Sequence, residues 1–135
     1  MIVRMSKKSD AVLAAFEALD DAFARHDLDA VLALCTEDVV FIGSGAGEEA
    51  IGRDAIAPMF AALAPQLDGL QFSLKWDSVR VDVLGKVALL TAWGRARLVT
   101  PNRAETLRYR LTGVLVRVEG RWLWRVHHGS EPGTW

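Results

Sequence analysis

A change of hydrophobic period at Gln71 divides this chain into two unlike halves and limits the folds open to it. Before that residue the apolar residues recur at helical spacing, and after it they alternate with polar residues as in β-strands. Four strand-like runs follow, at residues 71–83, 86–100, 105–119 and 121–128. The connectors Leu84-Gly85, Pro101-Asn102 and Glu119-Gly120 have the composition of tight turns. Long consecutive strands joined by short turns predict an antiparallel meander.

The first half of the chain predicts helices. Val12, Phe16, Leu19 and Phe23 lie on one face of a helix that ends near His26. Ser9 or Asp10 is placed to cap its start. A short second helix is expected over residues 30–34, a first strand over 38–42 and a glycine-rich loop over 43–47. A third helix is expected to start near residue 54 and to bury Ile56, Met59, Phe60 and Leu63.

Helices followed by a meander indicate an α+β fold, in which the helices pack on one face of the sheet. A chain of 135 residues corresponds to a single domain, 1–135, and residues 1–8 are expected to form a flexible tail. Both faces of each long strand are partly apolar. We therefore expect helices to cover one face and a second copy of the chain to cover the other, which makes a homodimer.

Composition narrows the classes of function. The formal net charge is −1, which argues against a nucleic-acid partner, and no apolar run is long enough to cross a membrane. The single cysteine, Cys35, cannot form an internal disulfide, which fits the cytoplasm. The three histidines and Cys35 do not have metal-ligand spacing. The sequence therefore predicts neither a metal nor a cofactor.

Strand parity predicts which side chains meet in a pocket, since alternate residues share a face. One face of the third long run carries Thr106, Arg108, Arg110 and Thr112, and the other carries Leu107, Tyr109 and Leu111. In the last run Trp122, Trp124, Val126 and His128 share a face, provided that the strand has no bulge. These patterns predict that Arg110 and His128 both point inward.

The candidate site residues follow from these faces. His128 is a candidate catalytic acid or base, and the alternative is a structural histidine bonded to the backbone or to Ser130. Arg110, supported by Arg108, is a candidate anchor for a ligand carboxylate, and an internal carboxylate is the alternative partner. The remaining candidate ligand-binding residues are Thr112, Trp122, Trp124, Trp76 and Ser130.

Two other groups carry weaker functional hypotheses. Asp38 has the residue type of a catalytic base. It stands at a junction between a helix and a strand, however, and carboxylates at such junctions more often cap the helix or pair with a nearby group. Tyr109, the only tyrosine, is expected to face away from Arg110 and His128. That placement argues against an isomerase with an acidic base and a tyrosine donor. The loop 43–47 lacks the lysine of a phosphate loop and is expected to be a flap near the pocket.

Several short motifs carry a family resemblance. Asp38-Val39-Val40-Phe41-Ile42-Gly43-Ser44, Glu48 or Glu49, and Gly52-Arg53-Asp54-Ala55-Ile56 resemble the first strand, loop and third helix of SnoaL-like proteins, in the nuclear-transport-factor-2-like superfamily. Residues 110–114, 119–122 and 127–132 resemble their closing hairpin. Trp122, His128 and Ser130 are spaced as at the end of the calcium/calmodulin-dependent kinase II association domain. Many relatives have a Trp after the loop glutamate, where this chain has Ala50 and Ile51.

The resemblance implies a cone-shaped α+β fold whose mouth holds a ligand. Members include ketosteroid isomerases, polyketide cyclases, dehydratases and association domains, so the fold does not decide the chemistry. The function expected here is a pocket that binds or transforms a small organic acid or carbonyl compound. The alternative is a non-catalytic association module that dimerises through the face bearing Trp93.

Overall fold

The computed structural model describes residues 2–3 and 7–133. The helices are α1 (Lys7–Ala24), α2 (Leu28–Ala33) and α3 (Ile56–Leu67), and a 3-10 turn at Arg53–Ala55 precedes α3. The strands are β1 (Ile2–Val3), β2 (Cys35–Ile42), β3 (Glu49–Ile51), β4 (Gln71–Leu84), β5 (Val87–Thr100), β6 (Arg103–Val118) and β7 (Arg121–Ser130). The predicted α+β class is confirmed.

The strands form one sheet in the order β1-β4-β5-β6-β7-β2-β3. The long strands β4 to β7 pair antiparallel, as the meander predicted. The chain also makes two parallel pairs, β1 with β4 and β2 with β7. The pairing of β2 with β7 joins the first half of the chain to its end, and it brings the loop after β2 beside the last strand.

The core lies between the helices and the inner face of the sheet. Helix α1 packs against β4 and β7, and its residues Val12, Phe16 and Leu19 are at most 3% exposed. Trp124, Leu111 and other apolar residues of the inner sheet face meet them. Burial of these large side chains supplies the main stabilisation of the fold.

The boundaries of the elements differ from the predictions in a few places. Strand β2 begins at Cys35, three residues earlier than expected, and the short strands β1 and β3 were not predicted. Helix α1 begins at Lys7, so Ser9 and Asp10 lie inside its first turns and do not precede it. The predicted tail of residues 1–8 falls in part outside the described residues. Its described parts lie in β1 and at the start of α1.

A bulge in β7 overturns the face predicted for His128. Val126 is registered opposite Val114 but Trp124 is registered opposite Leu115, which leaves Arg125 as an extra residue. An extra residue shifts every later side chain to the other face. His127 is therefore buried at 6% exposure, whereas His128 is exposed.

The face of β6 that looks inward is also the opposite of the one predicted. Arg108, Arg110 and Thr112 do share a face, but that face is exposed. Tyr109 and Leu111 are buried on the opposite, inner face. The physical reason is that α1 covers the face of the sheet with the larger apolar surface, and two arginines there would be costly to desolvate.

Three glycines on the inner face make room for large aromatic rings. A Cβ on Gly94 would meet the backbone of β4 at Lys75 and Trp76, with Trp76 Cε3 also at 2.9 Å. A Cβ on Gly113 would lie 2.3 Å from Trp124 Cζ3. A Cβ on Gly129 would lie 1.9 Å from the Tyr109 hydroxyl oxygen. The absence of side chains at these glycines therefore allows the rings of Trp76, Trp124 and Tyr109 to occupy their positions in the interior.

Candidate functional site

Asp20 is the acidic residue that α1 turns toward the sheet. It lies four residues after Phe16 and three before Phe23, on the apolar stripe of the helix. The Trp76 indole Nε1–H donates a hydrogen bond of 2.6 Å to Asp20 Oδ2. Burial raises the pKa of Asp20 to about 6, against the opposing effect of this hydrogen bond, and the nearby charge of Glu17 adds to the rise. This carboxyl therefore gains and loses a proton near neutral pH.

Tyr109 lies beside Trp76 on the same inner surface. Its ring centroid is 6.2 Å from that of Trp76 and 6.5 Å from that of Phe72. Burial raises the pKa of Tyr109 to about 12, the charge of Glu48 adds to the rise, and a hydrogen bond with Ser44 opposes it. The phenol hydroxyl is therefore neutral at physiological pH, and it is available as a hydrogen-bond donor.

A cavity of about 240 Å³ opens beside Asp20. Its lining residues come from the end of α1 and the start of β4 and are Asp20, Asp21, Phe23, Ala24, Phe72, Ser73 and Leu74. The Phe72 ring contacts both this cavity and Tyr109. The cavity thus places a carboxyl group of raised pKa at the wall of a space that a small molecule can enter.

The glycine-rich segment after β2 folds back as a compact loop next to Tyr109. The Gly43 N–H donates to the Glu48 carbonyl at 2.6 Å, and the Glu48 carboxylate accepts a hydrogen bond from the Gly45 N–H. The hydrogen bond between Ser44 and Tyr109 joins this loop to the inner surface. The loop lies where the sequence placed a flap.

The buried histidine is surrounded by aromatic rings. The His127 ring stacks on Phe41 with centroids 4.7 Å apart. The rings of Phe23 and Trp124 form T-shaped pairs with it, with centroids 6.0 and 4.9 Å away. Burial lowers the pKa of His127 to about 3, so the imidazole is neutral. Neither His127 Nδ1 nor Trp124 Nε1 has a hydrogen-bond partner among the described residues.

The structure brings most of the predicted site residues together on the outer face of the sheet, away from the interior. Arg110 is registered opposite Ser130, and Thr112 opposite His128. Arg108 and Arg110 are exposed, and neither has an ion pair among the described residues. The prediction that Arg110 and His128 both point inward is therefore wrong. The ligand-binding role of Arg110 and the catalytic role of His128 stay predictions.

The three predicted tryptophans do lie on the inner side. Trp122 and Trp124 are buried in the core, and Trp76 is half-buried at the wall that holds Asp20. Asp38 is exposed, and its carboxylate pairs with Arg125 at 3.2 Å. Hydrogen bonding from Thr36 and the charge of Arg125 lower its pKa. Asp38 thus pairs locally, the alternative that the sequence favoured.

The described part of the chain contains neither a group of metal ligands nor a membrane-spanning helix. No group of three or more His, Cys, Asp or Glu side chains there is arranged to hold a metal ion. No helix described there is long and apolar enough to span a membrane. The Cys35 thiol is buried, and burial raises its pKa to about 11, which makes it a poor nucleophile.

Sequence reasoning missed Asp20, Tyr109 and His127 as interior polar groups. A signal for Asp20 was present, since an acidic residue interrupts the apolar stripe between Phe16 and Phe23. Tyr109 required the right choice between the two faces of β6. His127 required the position of the bulge in β7, which the alternating pattern does not reveal.

Comparison with known families shows the family to which the chain belongs. A family model of the SnoaL-like domain matches residues 12–133. The chain belongs to the SnoaL-like domain family. The resemblance of residues 38–56 and of the closing hairpin is thereby confirmed. No curated protein matches the chain in sequence.

Solved structures of the nuclear-transport-factor-2-like kind share the fold. A candidate dehydratase from Streptomyces avermitilis is 18% identical, with a TM-score of 0.79 over 93% of this chain and 97% of that one. A ketosteroid isomerase-like protein from Erwinia carotovora atroseptica is 20% identical, with a TM-score of 0.76 over 96% and 100%. A candidate calcium/calmodulin-dependent protein kinase II association domain from Xanthomonas campestris is 22% identical, with a TM-score of 0.71 over 92% and 87%. At these identities the likeness establishes the SnoaL-like fold alone.

Proposed function

We propose that this SnoaL-like protein binds a small carbonyl compound at the mouth of the cone and moves a proton on it, with Asp20 as the acid–base group. The observation that carries the proposal is the Asp20 carboxyl group, which is hydrogen-bonded to Trp76 at the wall of a cavity. Its pKa of about 6 suits proton transfer near neutral pH.

Tyr109 supports the choice of a carbonyl compound. Its neutral hydroxyl group lies on the same inner surface as Asp20, with Trp76 in contact with both residues. A carboxylate that removes a proton next to a carbonyl needs a donor for the oxygen that becomes negative. Asp20 and Tyr109 are the residue types that such a reaction uses, so enolisation of a carbonyl compound is the reaction class that we favour.

A small organic acid is less favoured as the substrate. Asp20 and Asp21 both line the cavity, and none of its lining residues is an arginine or lysine. A ligand carboxylate there would meet like charge with no cation to offset it. Arg110, the anchor predicted from the sequence, is on the outer face of the sheet. The substrate is therefore a neutral carbonyl compound in this proposal.

Exchange of α-protons into D₂O tests the proposal, because enolisation replaces the α-proton with deuterium whatever product is formed afterwards. Small ketones and aldehydes are incubated with the protein, and loss of the α-proton signal is followed by proton NMR. We expect the α-proton to exchange faster with the wild type than with Asp20→Asn. Asp54→Asn, a change at an exposed position, should give the wild-type rate of exchange. Equal exchange in the wild type and Asp20→Asn would refute the assigned role.

We also propose a second role, self-association, on a different observation. The outer face of the sheet exposes apolar side chains, with Val87 37%, Leu89 41% and Trp93 47% exposed. These residues alternate along β5, and Leu89 is registered opposite the half-buried Val114 of β6. Several exposed apolar side chains on one face of a sheet are typical of interfaces. The occupant proposed is a second copy of the chain, which gives a homodimer.

A further inference from the structure

A second and larger cavity lies between the helices, and Phe23 lines both this cavity and the one at Asp20. It has a volume of about 630 Å³ and runs between the end of α1, α2 and α3. Most of its lining is apolar and includes Phe23, Leu28, Val31, Phe60 and Leu67. Nothing in the proposed proton transfer uses this helical groove.

Phe23 and Phe60 form the inner wall of the helical groove. Their ring centroids are 5.9 Å apart, and the Phe23 ring forms a T-shaped pair with His127 at a centroid distance of 6.0 Å. The Phe41 ring stacks on the same imidazole, with centroids 4.7 Å apart. The Phe23 ring therefore contacts both the groove and the buried histidine.

Two buried polar atoms behind Phe23 have no hydrogen-bond partner among the residues that the structure describes. They are His127 Nδ1 and Trp124 Nε1, on rings whose centroids are 4.9 Å apart. His127 is 6% exposed and Trp124 is 0% exposed. Buried polar groups nearly always have a hydrogen-bond partner, and leaving two of them unpaired on neighbouring rings is costly. The pair is therefore suited to receive a polar group from a ligand.

The chemistry of the two atoms limits which polar group fits. The indole N–H only donates a hydrogen bond, whereas a neutral imidazole nitrogen accepts one or, in the other tautomer, donates one. A hydroxyl group accepts from the indole and either donates to the imidazole or accepts from it. A carboxylate has no proton to donate, an ammonium group cannot accept, and both bring an unpaired charge into an apolar interior.

We propose that the helical groove binds a small neutral alcohol or phenol, whose hydroxyl group reaches His127 and Trp124 when Phe23 rotates aside. The apolar body of the ligand lies along Phe60, Leu28 and Leu67. Phe23 also lines the cavity at Asp20, but Asp20 itself does not line the groove, so the proposal does not depend on proton transfer there.

A matched pair of probes tests the hydroxyl requirement. Benzyl alcohol and toluene share an aromatic body and differ in the hydroxyl group. Calorimetric or NMR titration of the wild type is expected to give at least about tenfold tighter binding of benzyl alcohol. His127→Leu is expected to reduce that preference to about threefold or less. His128→Leu, an exposed neighbour on the outer face, is expected to keep it.

A second measurement keeps the test independent of the stability of the variants. The indole N–H signal of Trp124 in the wild type, assigned with Trp124→Phe, is expected to shift with benzyl alcohol and much less with toluene. Equal affinity for the two probes, or a Trp124 signal that neither probe moves, would overturn the proposal and leave a buried water as the partner. Asp20→Asn is expected to keep the benzyl alcohol preference, so failure here and failure of the carbonyl site are distinguishable.

Discussion

The hydroxyl group of Tyr109 lies where the first side-chain atom of any larger residue at position 129 would sit. A Cβ on Gly129 would be 1.9 Å from the Tyr109 hydroxyl oxygen and 2.6 Å from Cζ. Gly129 is registered opposite Leu111 on the inner face, two residues beyond Tyr109. The absence of a side chain in β7 thus determines the position of the donor that the proposed reaction needs.

Gly129→Ala is expected to lower the free energy of unfolding by about 1–3 kcal/mol, the usual cost of forcing extra atoms into a packed interior. Urea denaturation measures this change. Gly133→Ala is the matched control, because a Cβ there meets nothing within 4 Å, and its unfolding free energy should equal that of the wild type. An unchanged midpoint for Gly129→Ala would show that Tyr109 is not held against β7.

Asp20 makes the protein less stable as the pH rises through 6. The pKa of its carboxyl is about 6 in the folded protein and 3.8 in its usual environment, so between these values only the folded state keeps the proton. The stabilisation is full below pH 3.8 and is lost as the pH rises through 6. Asp20→Asn should therefore be more stable than the wild type at about pH 7.5, by on the order of 2 kcal/mol.

Urea denaturation of both proteins at several pH values measures the effect of Asp20. The advantage of Asp20→Asn is expected to shrink as the pH falls from about 7.5 to about 4. Asp54→Asn, at an exposed position, should show no such trend. A constant difference between wild type and Asp20→Asn at all pH values would mean that burial does not raise this pKa.

His127 makes the stability of the protein depend on pH in the opposite direction. The pKa of its imidazole is about 3 in the folded protein, against 6.5 in its usual environment, so only the unfolded state gains a proton as the pH falls below 6.5. Stability is lost on acidification by up to about 1.4 kcal/mol per pH unit. His127→Leu should flatten this loss in urea denaturation below pH 6.5, and His128→Leu should not. If the unfolding free energy of wild type and His127→Leu fell equally steeply below pH 6.5, the His127 side chain would be exposed to solvent and not buried.

The outer face of the sheet gives a prediction about assembly. Trp93→Glu puts a charge into the exposed apolar stripe of β5, opposite Arg110 and on the same face as Leu89. If the stripe is the dimer interface, the variant should sediment as a monomer at concentrations where the wild type sediments as a dimer. Ile51→Glu, at an exposed apolar position of β3, four strands away from β5 in the sheet, is the control. A wild type that is monomeric at high concentration would rule out the homodimer.

The main elements were predictable from the sequence because their periods are strong. The stripe Val12, Phe16, Leu19 and Phe23 predicted α1, and the four alternating runs predicted β4 to β7 to within a few residues. The short strands β1 and β3 were missed. Segments of two and three residues carry too little alternation to be recognised, and they exist only because longer strands pair with them.

The interior polar groups were harder to predict, for two separate physical reasons. Arg108, Arg110 and Thr112 were correctly placed on one face of β6, but alternation alone does not say which face the helices cover. The side chains of His127 and His128 lie on the faces opposite to those predicted, because Arg125 is one extra residue in β7. A bulge depends on the partner strands, and so local sequence does not show it.

The proposed chemistry depends on Asp20 gaining and losing a proton near neutral pH at the wall of the cavity, and titration of that carboxyl group measures this property. Carbon-13 NMR follows the side-chain carboxyl signal across the acid and neutral range, with Asp20→Asn to assign it. The pKa is expected to be about 6, and Glu17→Gln should lower it by removing a nearby negative charge. A carboxyl group that titrates near 3.8, unchanged in Glu17→Gln, would mean that Asp20 is an ordinary ionised carboxylate and not the acid–base group.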